Sequence, residues 1–164
     1  LWLNLHSSEK MIQPWYKDFQ DSDLPKLVTA DGVAVTVIAG ASHGVTGAVT
    51  RAITEPLYLD IHLPAGTRFA QPVLPGHNAF LYVYRGDVSV AGKRVPARRM
   101  AILASDAQAD GVIIDADADA KVLLIAGRPL REPIAQYGPF VMNTEAEIYQ
   151  ALSDFRDGSL GEKA

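Results

Sequence analysis

Four histidines are the side chains here best suited to metal or proton chemistry: His6, His43, His62 and His77. A metal site needs several imidazole, carboxylate or thiolate donors that converge, and no two of the four share a short ligand spacing. His62 lies two residues from Asp60 on one face of an alternating run, which suits a contact at a surface or between lobes. His77 sits in the turn Pro75, Gly76, His77, Asn78, where one imidazole does not make a site. With no cysteine there is no thiol nucleophile, disulfide or thiolate-bound zinc, and a cysteine-free chain fits the cytoplasm. No serine, histidine and acid arrangement stands out. Catalytic residues are therefore unassigned, and no residue is assigned to a metal or cofactor.

Lys93, Arg94, Arg98 and Arg99 form a basic cluster on one hairpin, which would suit an acidic partner. The formal net charge of −4 argues against direct nucleic-acid binding. The plainer expectation is a solvated hairpin balanced by an acidic turn with Asp106, Asp110, Asp115, Asp117 and Asp119. Gly40, Gly44 and Gly47 flank Ser42 and His43 in a glycine-rich loop. A phosphate-binding loop needs a helix directly behind it; residues 48–56 carry no helix signature, so a flexible turn is expected.

Strands must position these groups. Leu57, Leu59, Ile61 and Leu63 alternate with Tyr58, Asp60 and His62, the period of a half-buried strand. Further strands are expected over 33–39, 79–84, 88–90, 100–104, 111–115 and 120–126, with 33–39 apolar enough to be buried on both faces. Short strands divided by turns, with no helical pattern between them, argue for a sandwich or jelly roll. Hydrophobic residues make up 48% and charged residues 21%, ordinary for a globular domain. No apolar run approaches the roughly 20 residues of a membrane span, so no membrane partner is expected. The expected organisation is an extended crossover over 1–31, a barrel over 32–127, and a tail with one helix over 128–164. In the crossover, 1–5 should be a strand or extended, with irregular structure after it around Met11, Trp15, Tyr16 and Phe19. In the tail, Thr144 and Glu147 predict a capping box, Ile148, Ala151, Leu152 and Phe155 one apolar face, and Gly158 the stop. Beyond it the tail should fray.

Gly66 and Gly86 stand at the spacing of the two glycines that frame the first metal motif of the cupin family. The ligand positions of that motif fall on Pro72, Leu74 and Ala79, none of which can bind a metal. The frame thus resembles a cupin half-barrel without its site.

The flanks narrow the resemblance to the pirin family. Leu1, Trp2, Leu3, Asn4 and Leu5, followed by Lys10, Met11 and Pro14, resemble its inter-lobe segment. So do Val37, Ile38, Ala39 and Gly40 ahead of the glycine-rich loop. Tyr58, Leu59 and Asp60, then Pro64, Ala65 and Gly66, then Asn78, Ala79, Phe80, Tyr82, Val83 and Gly86 resemble its second barrel. Most specific is the close: Gly127, Arg128, Pro129, Leu130, Glu132 and Pro133, the run Gly138, Pro139, Phe140, Val141, Met142, Asn143 and Thr144, then Glu147, Ile148, Asp157 and Gly158. One departure is His6 and Ser7, where the family usually has a proline; it is expected to affect only the linker.

The resemblance implies an all-β cupin-type jelly roll, the C-terminal lobe of a bicupin. It implies iron in an N-terminal cupin lobe that this sequence lacks, held there by histidines and a glutamate. Leu1 in mid-strand agrees with a chain that is the later part of a longer polypeptide. The intact parent would be a quercetin 2,3-dioxygenase, this lobe alone being structural, inactive and metal-free. The alternative is a redox-responsive transcription co-regulator, with this lobe a protein-interaction module. A third reading is a small-molecule pocket inside the barrel walled by Tyr82, Tyr84 and His77, which Pro72 and Leu74 should fill. Expected partners are the N-terminal lobe, a protein partner, and further copies of the chain through exposed apolar surface that includes Trp2 and the face of the tail helix.

Overall fold

The structure is a computed structural model that describes residues 1–106 and 108–161. Two units of the chain are compact: residues 19–129, and residues 1–18 together with 130–161.

In the larger unit, strands are β1 (Lys26–Val28), β2 (Ala34–Ala39), β3 (Ala41–Ser42), β4 (Val45–Thr46), β5 (Leu57–Leu63), β6 (Thr67–Pro72) and β7 (Asn78–Arg85). They continue as β8 (Val88–Val90), β9 (Lys93–Val95), β10 (Arg99–Ile102), β11 (Gly111–Ala116) and β12 (Ala120–Gly127). One sheet runs β1-β2-β5-β12-β7-β10 and the other β6-β11-β8-β9, while β3 and β4 form a small hairpin. All these strand pairings are antiparallel. This is the expected jelly roll. Every second residue of β5 is buried, and Leu59, Ile61 and Leu63 have no exposed surface. Leu81, Val83, Val122, Leu124, Phe69 and Ile114 join them in one apolar cluster drawn from both sheets. Burial of such a side chain contributes roughly 1.5–3 kcal/mol, so the interior is filled by aliphatic packing.

Several expectations change. β2 alternates between buried and half-buried residues, so it is not buried on both faces: Val35, Val37 and Ala39 face the core and Thr36 does not. The segment after Gly66 contains β6, and the basic hairpin contains β9. Part of the irregular leader is β1, paired with β2 through Leu27 opposite Val35. The glycine-rich loop is the β3–β4 hairpin, with His43 at φ 47° in its turn.

Gly86 explains one end of the cupin-like frame. Its φ is +67°, and a Cβ there would lie 2.3 Å from the Asp119 carbonyl oxygen. Gly66 shares the left-handed backbone, at φ +74°, but has nothing within 4 Å of its missing Cβ. Only Gly86 is required by packing as well as by backbone conformation.

In the smaller unit, residues 1–5 pair with no strand, and the exposures of Trp15 (58%) and Tyr16 (88%) show that they anchor no core there. β13 (Ala135–Tyr137) and β14 (Phe140–Met142) form a hairpin. α1 (Glu145–Arg156) follows, opened by the expected capping box: the Glu147 amide donates to the Thr144 hydroxyl, and the Thr144 amide donates to the Glu147 carboxylate. The buried positions of α1 are Ile148, Ala151 and Asp154, while Phe155 is exposed against expectation. Phe155 instead meets Phe140 edge to face, their ring centres 5.9 Å apart. Gly158 at φ 74° ends the helix, and the Ser159 and Leu160 amides donate to the Asp154 carbonyl. Those residues are tied rather than frayed; residues 162–164 of the tail lie outside the described residues. Among the described residues no helix is long and apolar enough to cross a membrane.

Candidate functional site

Whether the cupin ligand positions could hold a metal turns on donor chemistry. Pro72 ends β6 on the surface, Leu74 is 59% exposed in the next loop, and Ala79 is buried in β7. No donor atom stands at any of the three positions, so these residues do not fit an iron centre. Among the described residues no three of the His, Cys, Asp and Glu side chains cluster in a way that could hold a metal.

Each histidine has its own neighbour. His6 Nε2 lies 3.0 Å from Glu132, and His43 Nδ1 lies 2.9 Å from the Ser42 hydroxyl. His62 Nε2 lies 2.6 Å from Asp119. Hydrogen bonding by His62, with the charges of His62, Arg85 and Lys121, holds the Asp119 carboxyl below its ordinary range. His77 Nε2 lies 3.1 Å from Glu55 Oε2, with only 8% of its side chain exposed.

His77 belongs to a built site. A cavity of about 410 Å³ opens at one end of the barrel. Its apolar wall is Ala41, Pro56, Leu57, Val73, Leu74 and Ala126, with Gly40 and Pro72 at the edge. Its polar groups are Thr46, Thr50, Arg51, Glu55 and His77. Arg128 holds Glu55 from behind: its Nη2 donates to Glu55 Oε1 at 2.6 Å, and its backbone amide donates to the Thr54 carbonyl at 2.8 Å. Glu55 has φ 42°, a left-handed backbone that is costly for a residue with a Cβ. A turn closed by the Glu55 amide on the Arg51 carbonyl at 3.0 Å maintains it. The cavity edge is fixed by a second, buried network. The Ser42 hydroxyl donates to Gln71 Oε1 at 2.7 Å, and Gln71 Nε2 donates to the carbonyls of Ala41 and Pro72 at 3.2 and 3.0 Å.

Of the expected pocket walls, only His77 is in place. Tyr82 and Tyr84 are 37% and 38% exposed and lie outside this cavity, because β7 turns alternate residues away from the core. The Tyr84 hydroxyl donates to Asp60 at 2.7 Å; partial burial, with that carboxylate, pushes its pKa above the ordinary phenol value. Pro72 and Leu74 border the cavity instead of filling it. Glu55 and Arg51 carried no sequence signal beyond a carboxylate placed directly before Pro56, and Arg128 stood out only as part of the closing motif.

Among the described residues no ion pair joins the acidic turn to the basic hairpin. Arg94 is paired with Asp87, Asp115 with Arg68 at 2.6 Å, and Asp119 with His62 and Arg85. The closing motif has a structural task in the smaller unit. Glu132 accepts hydrogen bonds from the Ser7 amide at 2.9 Å, the Ser7 hydroxyl at 2.6 Å and Asn143 at 3.3 Å. The Ser7 hydroxyl bond, with the Ser7 amide, Asn143 and the charge of His6, leaves the Glu132 carboxyl below its ordinary value against the opposing effect of burial. Ser7 thus does more than lengthen a linker.

Residues 58–161 match the family model described as the pirin C-terminal cupin domain. The chain belongs to the pirin family. Human pirin is 42% identical over 169 residues, which take in 98% of this chain and 56% of that protein. A Pseudomonas aeruginosa protein provisionally named a quercetin 2,3-dioxygenase is 46% identical over 98% of this chain and 58% of its own length. The crystal structure of a quercetin 2,3-dioxygenase from Acinetobacter baumannii superposes with a TM-score of 0.86 at 34% identity, over 98% of this chain and 55% of that one. The chain therefore spans little more than half the length of these relatives. The pirin match takes in His77 and Arg128 and starts after Arg51 and Glu55.

Proposed function

We propose that this chain is the metal-free C-terminal lobe of a two-lobed pirin whose iron-dependent, quercetin-type dioxygenation takes place in the N-terminal lobe. The observation that carries the reading is the donor set: the cupin ligand positions are Pro72, Leu74 and Ala79, inside an otherwise intact Gly66-to-Gly86 frame. No step of the oxygenation is routed through this chain. Its role is mechanical, since an aliphatic-filled barrel is a stiff support. Exposed apolar residues fit a lobe that is covered in the whole protein: Trp2 is 69% exposed in the smaller unit, and Ile102 is 79% exposed on the larger. The cysteine-free composition fits a cytoplasmic setting.

The test is metal retention. The 164-residue chain is incubated with ferrous iron, desalted and analysed for metal, beside the full-length protein assayed for quercetin consumption. The expected result is far less than one iron per chain, with iron and turnover in the full-length protein. One firmly retained iron per 164-residue chain would sink the reading.

A further inference from the structure

The cavity beside His77 plays no part in the reading above, yet it is built like a ligand site. Its volume of about 410 Å³ falls within the roughly 300–1,000 Å³ of small-molecule pockets, which are typically apolar with a few fixed polar groups. Neither cation near the cavity is a free charge: Arg128 is spent on Glu55, and Arg51 has an interaction of its own. Thr46 and Thr50 are exposed, within reach of water. The group left over is one nitrogen of His77. Its Nε2 lies 3.1 Å from Glu55 Oε2, while Arg128 Nη2 donates to the other oxygen, Oε1, at 2.6 Å. A carboxylate only accepts, so Nε2 carries the proton, and in the neutral ring Nδ1 is then a bare acceptor. Among the described residues nothing pairs with Nδ1. The side chain is only 8% exposed, yet Nδ1 is not sealed in: among the described residues the one fully buried side-chain nitrogen or oxygen without a partner is Asn143 Oδ1. An acceptor in so apolar a setting is matched by a single donor on a ligand. A metal is disfavoured, because no three candidate ligand side chains gather among the described residues.

We propose that the cavity binds a small neutral molecule with an apolar body of about one ring and a single hydroxyl or N–H donor. The body lies against Leu57, Val73, Leu74 and Ala126, and the donor bonds to His77 Nδ1. Glu55 and Arg128 are positioning residues, which fix the tautomer of the ring. The site is independent of the metal chemistry of the other lobe.

The test is an NMR titration of the 164-residue chain, freed of metal by chelation, with 4-cresol and with its methyl ether, 4-methylanisole. It is run at pH 8, where a phenol and an ordinary imidazole are both neutral. Cresol shifts the amides of residues 40–46, 51–55 and 73–77 and binds about tenfold more tightly than the ether, although the ether is the more apolar. Long-range spectra of the imidazole nitrogens show Nε2 protonated and Nδ1 bare in the free chain, and only cresol shifts Nδ1. His77→Phe brings cresol down to the affinity of the ether. Leu74→Trp, at a residue 59% exposed and so outside the core, fills the cavity and removes both. Equal binding of the two compounds, or a proton on Nδ1 in the free chain, overturns the hydrogen-bond assignment. No shift in the cavity amides, or cresol binding undiminished by Leu74→Trp, overturns the site. Dispersed amide spectra of both variants confirm that they fold, and the chelated sample keeps the result separate from the iron test.

Discussion

Replacing Gln71 with leucine should destabilise this protein by about 3 kcal/mol, although leucine is apolar and similar in size. Gln71 is 4% exposed, and its amide makes three hydrogen bonds: one from the Ser42 hydroxyl and one each to the Ala41 and Pro72 carbonyls. Ser42, at 2% exposure, has one proton, which goes to Gln71. Its contact with His43 Nδ1 at 2.9 Å therefore has the imidazole N–H as donor. Gln71→Leu leaves one hydroxyl proton and two carbonyls without their partners. A buried group left unpaired costs roughly 1–3 kcal/mol. The low end applies here, because both carbonyls lie at the edge of an open cavity where water reaches them. Ser42→Ala removes its bonds to Gln71 and from His43, leaving the Gln71 oxygen short and an exposed imidazole N–H to water, at a cost of about 1–2 kcal/mol.

The double variant separates this account from simple loss of packing. The double variant strands neither the Ser42 hydroxyl nor the Gln71 oxygen, so it should cost about 2 kcal/mol less than the two single changes added. Urea unfolding is the assay. At a slope near 2 kcal/mol/M, about 3 kcal/mol moves the midpoint by about 1.5 M with the slope unchanged. A Gln71→Leu cost below about 0.5 kcal/mol, or additivity within about 0.3 kcal/mol, would refute the network as the element that fixes the cavity edge.

Two further changes follow from the backbone and the helix cap. Gly86→Ala should cost about 3 kcal/mol or more, since the Asp119 carbonyl 2.3 Å away must move, whereas Gly66→Ala carries only the left-handed backbone penalty of roughly 1–2 kcal/mol. In thermal melts Gly66→Ala should lower Tm by about 2–8 °C and Gly86→Ala by clearly more; equal shifts would refute the packing argument. Backbone hydrogen bonds from Asn143 and then Thr144 hold the Glu147 carboxyl below its ordinary value. A carboxyl depressed on folding contributes stability above its unfolded pKa, near 4.3, and that contribution is lost as pH falls through the lower folded value. Glu147→Gln should therefore lower Tm at neutral pH and converge with the parent protein under strongly acid conditions; a gap that persists or widens in acid would contradict the cap.

The barrel was readable wherever one face is wholly aliphatic. β5 and β12 alternate so cleanly that period and burial coincide. β6 escaped because its core face presents Phe69 and then Gln71, a polar residue made acceptable by partners on β3 and by the Pro72 carbonyl. β9 escaped because Lys93 and Arg94 precede its single buried residue, Val95. In α1 the apolar residues Leu152 and Phe155 suggested a stripe that the structure rotates toward Ala151 and Asp154. An aspartate can be buried there because Gln150 donates to its carboxylate at 2.9 Å.

The pocket was unreadable for a different reason. Its ionisable groups are Arg51 and Glu55 in one turn and His77 in another, and Arg128, just past the end of β12, reaches it by way of Glu55. Each has an ordinary loop explanation when read alone. What joins them is register. β12 pairs with β5 so that Ala126 faces Leu57, and with β7 so that Gly127 faces Asn78. Those two pairings deliver the ends of three strands to one edge of the sheet, and the loops beyond them inherit that proximity. A shift of β12 by one residue would reverse its buried and exposed faces, so the aliphatic core locks the register that brings Arg128 to Glu55. The packing that fills the barrel and the charge that furnishes its open end thus depend on the same strand alignment. The aliphatic core therefore maintains the defined polar site at the open end of the barrel.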